Sequence, residues 1–339
     1  MLRGATNQIQ PQRVKETNRP LSVQGLDLSI DLAPNNPHHL RLENPVMIAS
    51  GTFGYDGYGR GITTEMGLDK LGAVVQKTFT FLPREGNLEP RWFPPSYREA
   101  WDCGDQLFLN AIGLTNPGIE AAVQVVTPSW DQWNAKFILS FASDSVEQFG
   151  EMAAMTNAGT NFQGIELNLS CPNVEDGSMF GHSANLTSQA VAAVRANTDR
   201  PILAKLAPNV PNITEIAQAA VESGADALTI CNTMPAMRID TQTHKPVLGN
   251  ITGGLSGMGL RPISLALVYQ VAKKVNVPII GVGGIFSGEQ AAEYILAGAS
   301  AVQIGSANLI GLSAPWRILS ELQEWMRKSE ISNLKNLAV

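Results

Sequence analysis

Residues 202–232, ILAKLAPNVPNITEIAQAAVESGADALTICN, carry the reading that decides the fold class. Ile202–Ala207 is a short apolar run, Ile213–Ser223 is an amphipathic helical pattern closing on Gly224, and Ala227–Asn232 is a second apolar run. Continuous apolar runs of this length suit strands buried on both faces, as in a parallel sheet, and a glycine just past the last periodic residue stops a helix. The unit is strand, helix, strand, and it recurs in both directions. Upstream lie Pro45–Ser50, Ala73–Thr78, Phe137–Ala142 and Gly164–Ser170; downstream lie Pro278–Gly284 and Ala301–Ser306. Ser287 and Gln290 have the spacing of a capping box ahead of AAEYILAG, which ends on Gly298. Eight strands alternating with helices predict an α/β fold of the closed (β/α)8 TIM-barrel type. The alternative is an open doubly wound sheet, which loses ground because no GxGxxG opens the chain.

Composition agrees with a large core. The 339 residues fall within the ~200–400 of a barrel domain, 44% are hydrophobic and 31 are glycine. Charged residues are 16%, below the roughly 25% of an average soluble domain, which excludes disorder for most of the chain. Lys and Arg total 24 against 30 for Asp and Glu, a net charge of −6 that leaves nothing over to neutralise nucleic-acid phosphates. Cys103, Cys171 and Cys231 are too few and too scattered for a disulfide scaffold or a CxxC metal site. Residues 1–20 are polar, lack the apolar core of a signal peptide and read as a mobile arm before a single barrel domain over 21–339. No apolar run reaches the ~18 residues of a membrane helix, so the expectation is a cytoplasmic protein without membrane insertion. Two connections, Phe79–Lys136 after the second strand and Thr233–Gly259 after the sixth, are long enough to build the rim of an active site.

In a barrel, chemistry sits where the strands finish. Those positions carry Ala49–Ser50–Gly51, Lys77, Ser140, Asn168, Lys205, Asn232, Gly283–Gly284 and Gly305–Ser306. Any one Ser or Asn there is an ordinary turn-former or helix cap; polar groups repeated at separate strand ends point to a site. Gly283–Gly284 and Gly305 end the seventh and eighth strands, where barrels bind phosphate through backbone N–H groups. Lys77 and Lys205 stand inside apolar strand sequences, where an ammonium is costly without a partner. Three readings compete: a Schiff-base lysine of an aldolase, a fixed positive charge beside an anionic ligand, and an ion pair with a strand carboxylate such as Glu166.

The segment Glu166–Asn173, ELNLSCPN, is the most informative. Cys171 follows the fourth strand and precedes a proline, so the thiol belongs to a loop. Its neighbours Asn168, Ser170 and Asn173 are polar, a poor setting for a cysteine that merely packs. None of His38, His39, His182 and His244 is placed to activate it as an acyl-transfer nucleophile, so a general base fits better. Asn110, Asn168, Asn173 and Asn232 offer neutral amides suited to a ring edged with alternating C=O and N–H groups, such as a pyrimidine.

These segments resemble the dihydroorotate dehydrogenases, flavin enzymes of pyrimidine synthesis. The matching stretches are Ala49–Ser50–Gly51, the Lys77 strand, NAIGLTNPG at 110–118, NLSCPN at 168–173, Lys205, CNTMPAMRIDTQTHKPVLGNITGGLSG at 231–257, GVGG at 281–284 and IGS at 304–306. They keep the family's order over roughly residues 22–339. A cysteine at 171 looks like class 1, and the long segment after Asn232 is similar to the class 1B branch. The resemblance implies FMN held by Ala49, Ser50, Gly51, Lys77, Thr78, Ser140, Asn168, Lys205, Cys231, Gly257, Gly283, Gly284, Gly305 and Ser306, with the phosphate at the last four. It implies dihydroorotate gripped by Lys77, Asn110, Ile112, Gly113, Leu114, Asn168, Asn173, Asn232 and Thr233, and Cys171 as the base that takes the C5 proton. It implies no metal ligand in this chain, a homodimer, and a heterotetramer with a separate iron–sulfur and FAD subunit that passes electrons to NAD.

The sequence departs from the family pattern at four places: Ser140 in place of asparagine, Cys231 in place of an aliphatic residue, the longer and more aromatic 91–109 segment, and the N-terminal arm. Within the same chemistry the alternative is a dihydropyrimidine dehydrogenase-like oxidoreductase. Outside it stand a Schiff-base aldolase and a flavin-binding subunit without catalysis.

Overall fold

Each of the eight apolar runs contributes one strand: β1 Val46–Ile48, β2 Ala73–Val75, β3 Phe137–Phe141, β4 Gly164–Asn168, β5 Ile202–Leu206, β6 Ala227–Ile230, β7 Ile279–Val282 and β8 Ala301–Ile304. In this computed structural model residues 25–58, 67–95, 107–159, 161–170 and 179–337 are described. The expected arm over 1–20, Cys171 and Asn173 lie outside the described residues. Every strand pairs in parallel with its neighbours in sequence, and β8 returns to β1 with Val302 opposite Val46, closing the barrel. That last pairing excludes the open sheet. The strands are shorter than the runs because Ser50, Thr78, Asn232 and Gly284 leave the ladder and turn into the loops.

Helices α1 Val146–Thr156, α2 Ala184–Arg195, α3 Ile213–Glu222, α4 Arg261–Ala272 and α5 Gly288–Leu296 follow β3 to β7, and α6 Ser306–Ile310 and α7 Ala314–Lys328 follow β8. Side-chain caps start four of them: Ser145 accepts from Gln148 N, Ser183 from Leu186 N, Asn212 from Thr214 N and Ser287 from Gln290 N. The capping box differs from the expected one at one bond. Gln290 Oε1 accepts from Phe286 N at 2.7 Å, one residue before the cap, so the reciprocal bond anchors the entering chain.

The two long connections meet in space. Trp92–Phe93 and Leu107–Asn110 from the first, and Met234–Ala236 and Gly253–Gly257 from the second, form one four-stranded antiparallel sheet. Gly254 stands opposite Asn110, so the sheet joins the connections after β2 and β6 into one rim. At the other end of the barrel Leu40 packs on Gly164 and Asn36 donates to Asp226, closing the starts of β4 and β6.

The barrel interior holds polar groups as well as aliphatic ones. Glu166 of β4, Lys205 of β5, Thr229 of β6 and Gln303 of β8 are all buried. In a ring of eight, β4 and β8 stand opposite each other. The 2.6 Å hydrogen bond from Gln303 Nε2 to Glu166 Oε2 therefore spans the interior.

Candidate active site

A cleft of about 430 Å³ opens at the C-terminal end of the barrel, within the ~300–1,000 Å³ of small-molecule sites. Its walls come from seven of the eight strand ends that the sequence reading singled out, all but that of β3. Ala49, Ser50 and Gly51 follow β1, Lys77 and Thr78 follow β2, Asn168 ends β4, Lys205 lies on β5, and Cys231, Asn232 and Thr233 follow β6. Gly283 and Gly284 follow β7, Gly305 and Ser306 follow β8, and the rim sheet and its loop add Asn110, Ile112 and Leu114.

Three expected residues stand behind the wall. Ser140 is wholly buried and meets Thr78, hydroxyl to hydroxyl, at 2.9 Å, so it positions that side chain instead of facing the cleft. Gly257 backs Gly284: a Cβ built on Gly284 would come within 2.7 Å of the Gly257 carbonyl oxygen. Gly113, at φ +74°, lies so close to Asn87 that a Cβ would meet its backbone nitrogen at 2.5 Å. It presses the Ile112–Leu114 loop onto the Asn87 segment, whose N–H donates to the Ile112 carbonyl.

A line of polar contacts fixes the strand ends against one another. Ser50 Oγ donates to the Gln76 carbonyl at 2.8 Å, and Asn168 Nδ2 lies 3.5 Å from Thr78 Oγ1. Asn232 Nδ2 donates to Ser170 Oγ at 2.7 Å and to Asn168 Oδ1 at 3.2 Å, while its own Oδ1 accepts from Thr233 N. Amides locked this way present defined donor and acceptor edges to a ligand, and no reorganisation is needed on binding.

The two lysines differ. Lys205 has a carboxylate partner: its Nζ lies 3.5 Å from Glu166 Oε1. The ion-pair reading of this lysine therefore holds, and the same residue also lines the cleft. Lys77 pairs with no carboxylate among the described residues; its Nζ lies 5.9 Å from the centre of the Tyr55 ring. Burial, and then repulsion from Arg91, push the Lys77 ammonium below the ordinary lysine range. A half-buried cation of this kind calls for an anionic ligand.

Cys231 is 2% exposed and its thiol is pushed up to about 11 by burial, so it is neutral near pH 7 and meets a ligand as a small apolar surface. At the neighbouring strand end Gly284, at φ +64°, turns tightly against Arg261, and Tyr294 donates to the Gly283 carbonyl at 2.7 Å. Ser306 opens α6 and its hydroxyl donates to Ser256 Oγ at 2.9 Å. Backbone without a Cβ beside a helix start is a cradle for phosphate.

Tyr58, Arg91, Trp92, Thr115, Ser256, Leu260, Val282 and Leu309 also line the cleft without having been singled out as ligand contacts. Arg91 and Trp92 belong to the long aromatic segment, the one signal that pointed to them. The apolar members carry no signal distinct from core residues. None of the four histidines lines the cleft; His39 instead meets Asp31 at 2.7 Å.

The chain matches the family model described as dihydroorotate dehydrogenase over residues 33–326. It is 40% identical over 312 residues to a protein of Geotalea uraniireducens named dihydroorotate dehydrogenase B (NAD(+)), catalytic subunit, covering 92% of this chain and 97% of that protein. Proteins of the same name from Pelobacter propionicus and Geobacter sulfurreducens are 41% and 38% identical, over 92% and 93% of this chain and 97% and 98% of theirs.

Proposed function

Starting from the chain's place in the dihydroorotate dehydrogenase family, to which it belongs, we propose that it oxidises dihydroorotate to orotate in pyrimidine biosynthesis, with FMN as its flavin. The family is one of flavin-dependent oxidoreductases. The observation that carries the reading is the shape of the cleft. A glycine cradle after β7 and β8 and an amide wall after β2, β4 and β6, with a cation that meets no carboxylate among the described residues, share one volume that Lys205 also lines. The residues present fit FMN: Gly283, Gly284 and Gly305 border the cleft beside the helix start at Ser306, where they would hold a phosphate, and the Lys205 ammonium would favour the electron-accepting ring.

FMN, when bound, supplies the acceptor for the hydride leaving C6 of the substrate. The protein does the rest. Gly283, Gly284, Gly305 and Ser306 hold the phosphate, while Ala49, Ser50, Gly51, Thr78 and Asn168 border the ring. Lys77 pairs with the substrate carboxylate. Asn110, Asn168, Asn173, Asn232, Thr233 and the Ile112–Leu114 backbone orient the ring edge. Cys171 takes the C5 proton, so one proton and one hydride leave together as the C5–C6 double bond forms.

Two consequences are measurable. Gly284→Ala puts a Cβ at φ +64° against the Gly257 oxygen. If the free loop relaxes out of this conformation, binding must restore about 1–2 kcal/mol of left-handed strain, and FMN affinity is expected to fall on the order of tenfold in a fluorescence titration. Because Lys77 titrates below the ordinary lysine range and must be protonated to hold a carboxylate, KM for dihydroorotate is expected to rise with pH before an ordinary lysine would lose its proton. Lys77→Arg should flatten that rise, since guanidinium stays charged.

The relatives' names specify a catalytic subunit and NAD(+). They support a second subunit that links this chain to NAD(+); we propose that this subunit carries an iron–sulfur centre and FAD, that it joins a homodimer of this chain as a heterotetramer, and that the assembly acts in the cytoplasm. No helix of the described residues is long and apolar enough to cross a membrane. The test is a visible spectrum of the purified chain followed by anaerobic addition of dihydroorotate. A flavin band that bleaches supports the reading. A band that persists moves the substrate to another pyrimidine, and no band after reconstitution with FMN overturns the cofactor.

A further inference from the structure

We propose that Glu166 is the positioning residue for Lys205, and that with Thr229 and Gln303 it sets how much positive charge the cleft floor presents to the flavin. The inference rests on the FMN reading above. Glu166 is wholly inaccessible, and taking a carboxylate out of water costs several kcal/mol unless it is fully satisfied. Its Oε2 accepts from Gln303 Nε2 at 2.6 Å and from Thr229 Oγ1 at 3.0 Å. Its Oε1 faces Lys205 Nζ at 3.5 Å.

The asymmetry is informative. A pair built for stability alone closes to about 2.7–2.9 Å, the distance of a charge-assisted hydrogen bond. Here the short bonds go to the two neutral donors, and the ammonium is left at arm's length. Lys205 has no other hydrogen-bond partner among the described residues, and its remaining N–H groups are available to the cleft it lines. The carboxylate tethers the ammonium from below, and the Thr229 and Gln303 bonds draw its negative charge away from that ammonium. Four strands, two of them opposite across the barrel, supply the parts, so the arrangement is as rigid as the barrel itself.

Reduction places negative charge on the flavin ring, which Lys205 stabilises and Glu166 opposes. Removing the Glu166 charge should therefore favour the reduced flavin. Removing the Thr229 hydroxyl should leave the carboxylate more concentrated and disfavour it.

The experiment measures the potential of FMN bound to the full chain by anaerobic equilibration with reference dyes. Glu166→Gln is expected to raise the two-electron reduction equilibrium about tenfold, equal to about 30 mV. Thr229→Val should lower it a few-fold, and Glu166→Asp should stay near the parent value. A merely structural network would move both substitutions the same way or neither. An unchanged potential in Glu166→Gln, or shifts of one sign in both, overturns the proposal. If Glu166→Gln does not fold, Thr229→Val decides, and an unchanged or raised potential overturns it. A parent chain that takes up no FMN overturns the cofactor reading first, and this proposal with it, before any variant is compared.

Discussion

Cys171→Ser is expected to keep its flavin and to lose reduction by dihydroorotate by about 10²–10⁴-fold near neutral pH, the usual contribution of a positioned general base. A thiol has a reference pKa near 8.5, so a measurable fraction is thiolate at neutral pH and a modest shift raises it. A serine hydroxyl has no comparable fraction. The rate for the parent chain should climb with pH as the thiolate forms, and the serine variant should reach a given rate only at much higher pH. Stopped-flow bleaching of the flavin band, under anaerobic conditions with dihydroorotate in excess, reads the step directly. Parent-like bleaching in the variant would remove Cys171 from the mechanism. Unchanged FMN affinity in the same preparation separates loss of the base from loss of the site.

The second large effect is expected at Lys205. Replacing it by methionine leaves Glu166, with no solvent access, without its counter-charge. Breaking a buried pair by removing one partner costs about 3–5 kcal/mol. The lower end is expected here, because the Thr229 and Gln303 donors remain on the carboxylate. Denaturant unfolding of the flavin-free chain measures this independently of catalysis. Adding Glu166→Gln to Lys205→Met should recover much of the loss, since the uncompensated charge is then gone; the double-mutant cycle isolates the coupling. Full parent stability in Lys205→Met would contradict the buried pair. The flavin-loaded single variant should also bind FMN more weakly or accept hydride more slowly.

How far each of these residues was legible in the sequence follows from the kind of information it needed. Lys77 and Lys205 were conspicuous because a charge inside an apolar strand run has to answer to something. The sequence left open what that was, and for Lys205 the ion-pair reading holds, in a residue that also lines the cleft. Gln303 carried no signal at all. It is a neutral residue in an apolar strand that leads into Gly305, and its partner lies 137 positions away. Gly113 and Gly257 were placed at the site by resemblance and Ser140 by its strand end as well, yet all three stand behind it, since a motif or a strand end marks a position and does not tell which layer of the wall it occupies.

By itself the sequence determined the eight strands, their alternation with helices and the strand ends at which the cleft forms, and it favoured the closed parallel ring that the pairing of β8 with β1 then decided. These depend on short-range matters: a two-faced apolar run, a helical period, a glycine or proline that ends an element. The tertiary structure alone decided three things. The connections after β2 and β6 join into one rim sheet, with Asn110 opposite Gly254. A carboxylate on β4 reaches an amide on β8 across the barrel. One lysine is tethered while the other is left for a ligand. Each requires residues far apart in sequence to meet, and that depends on how the closed ring sets the register and facing of all eight strands at once, a property no local window of residues contains.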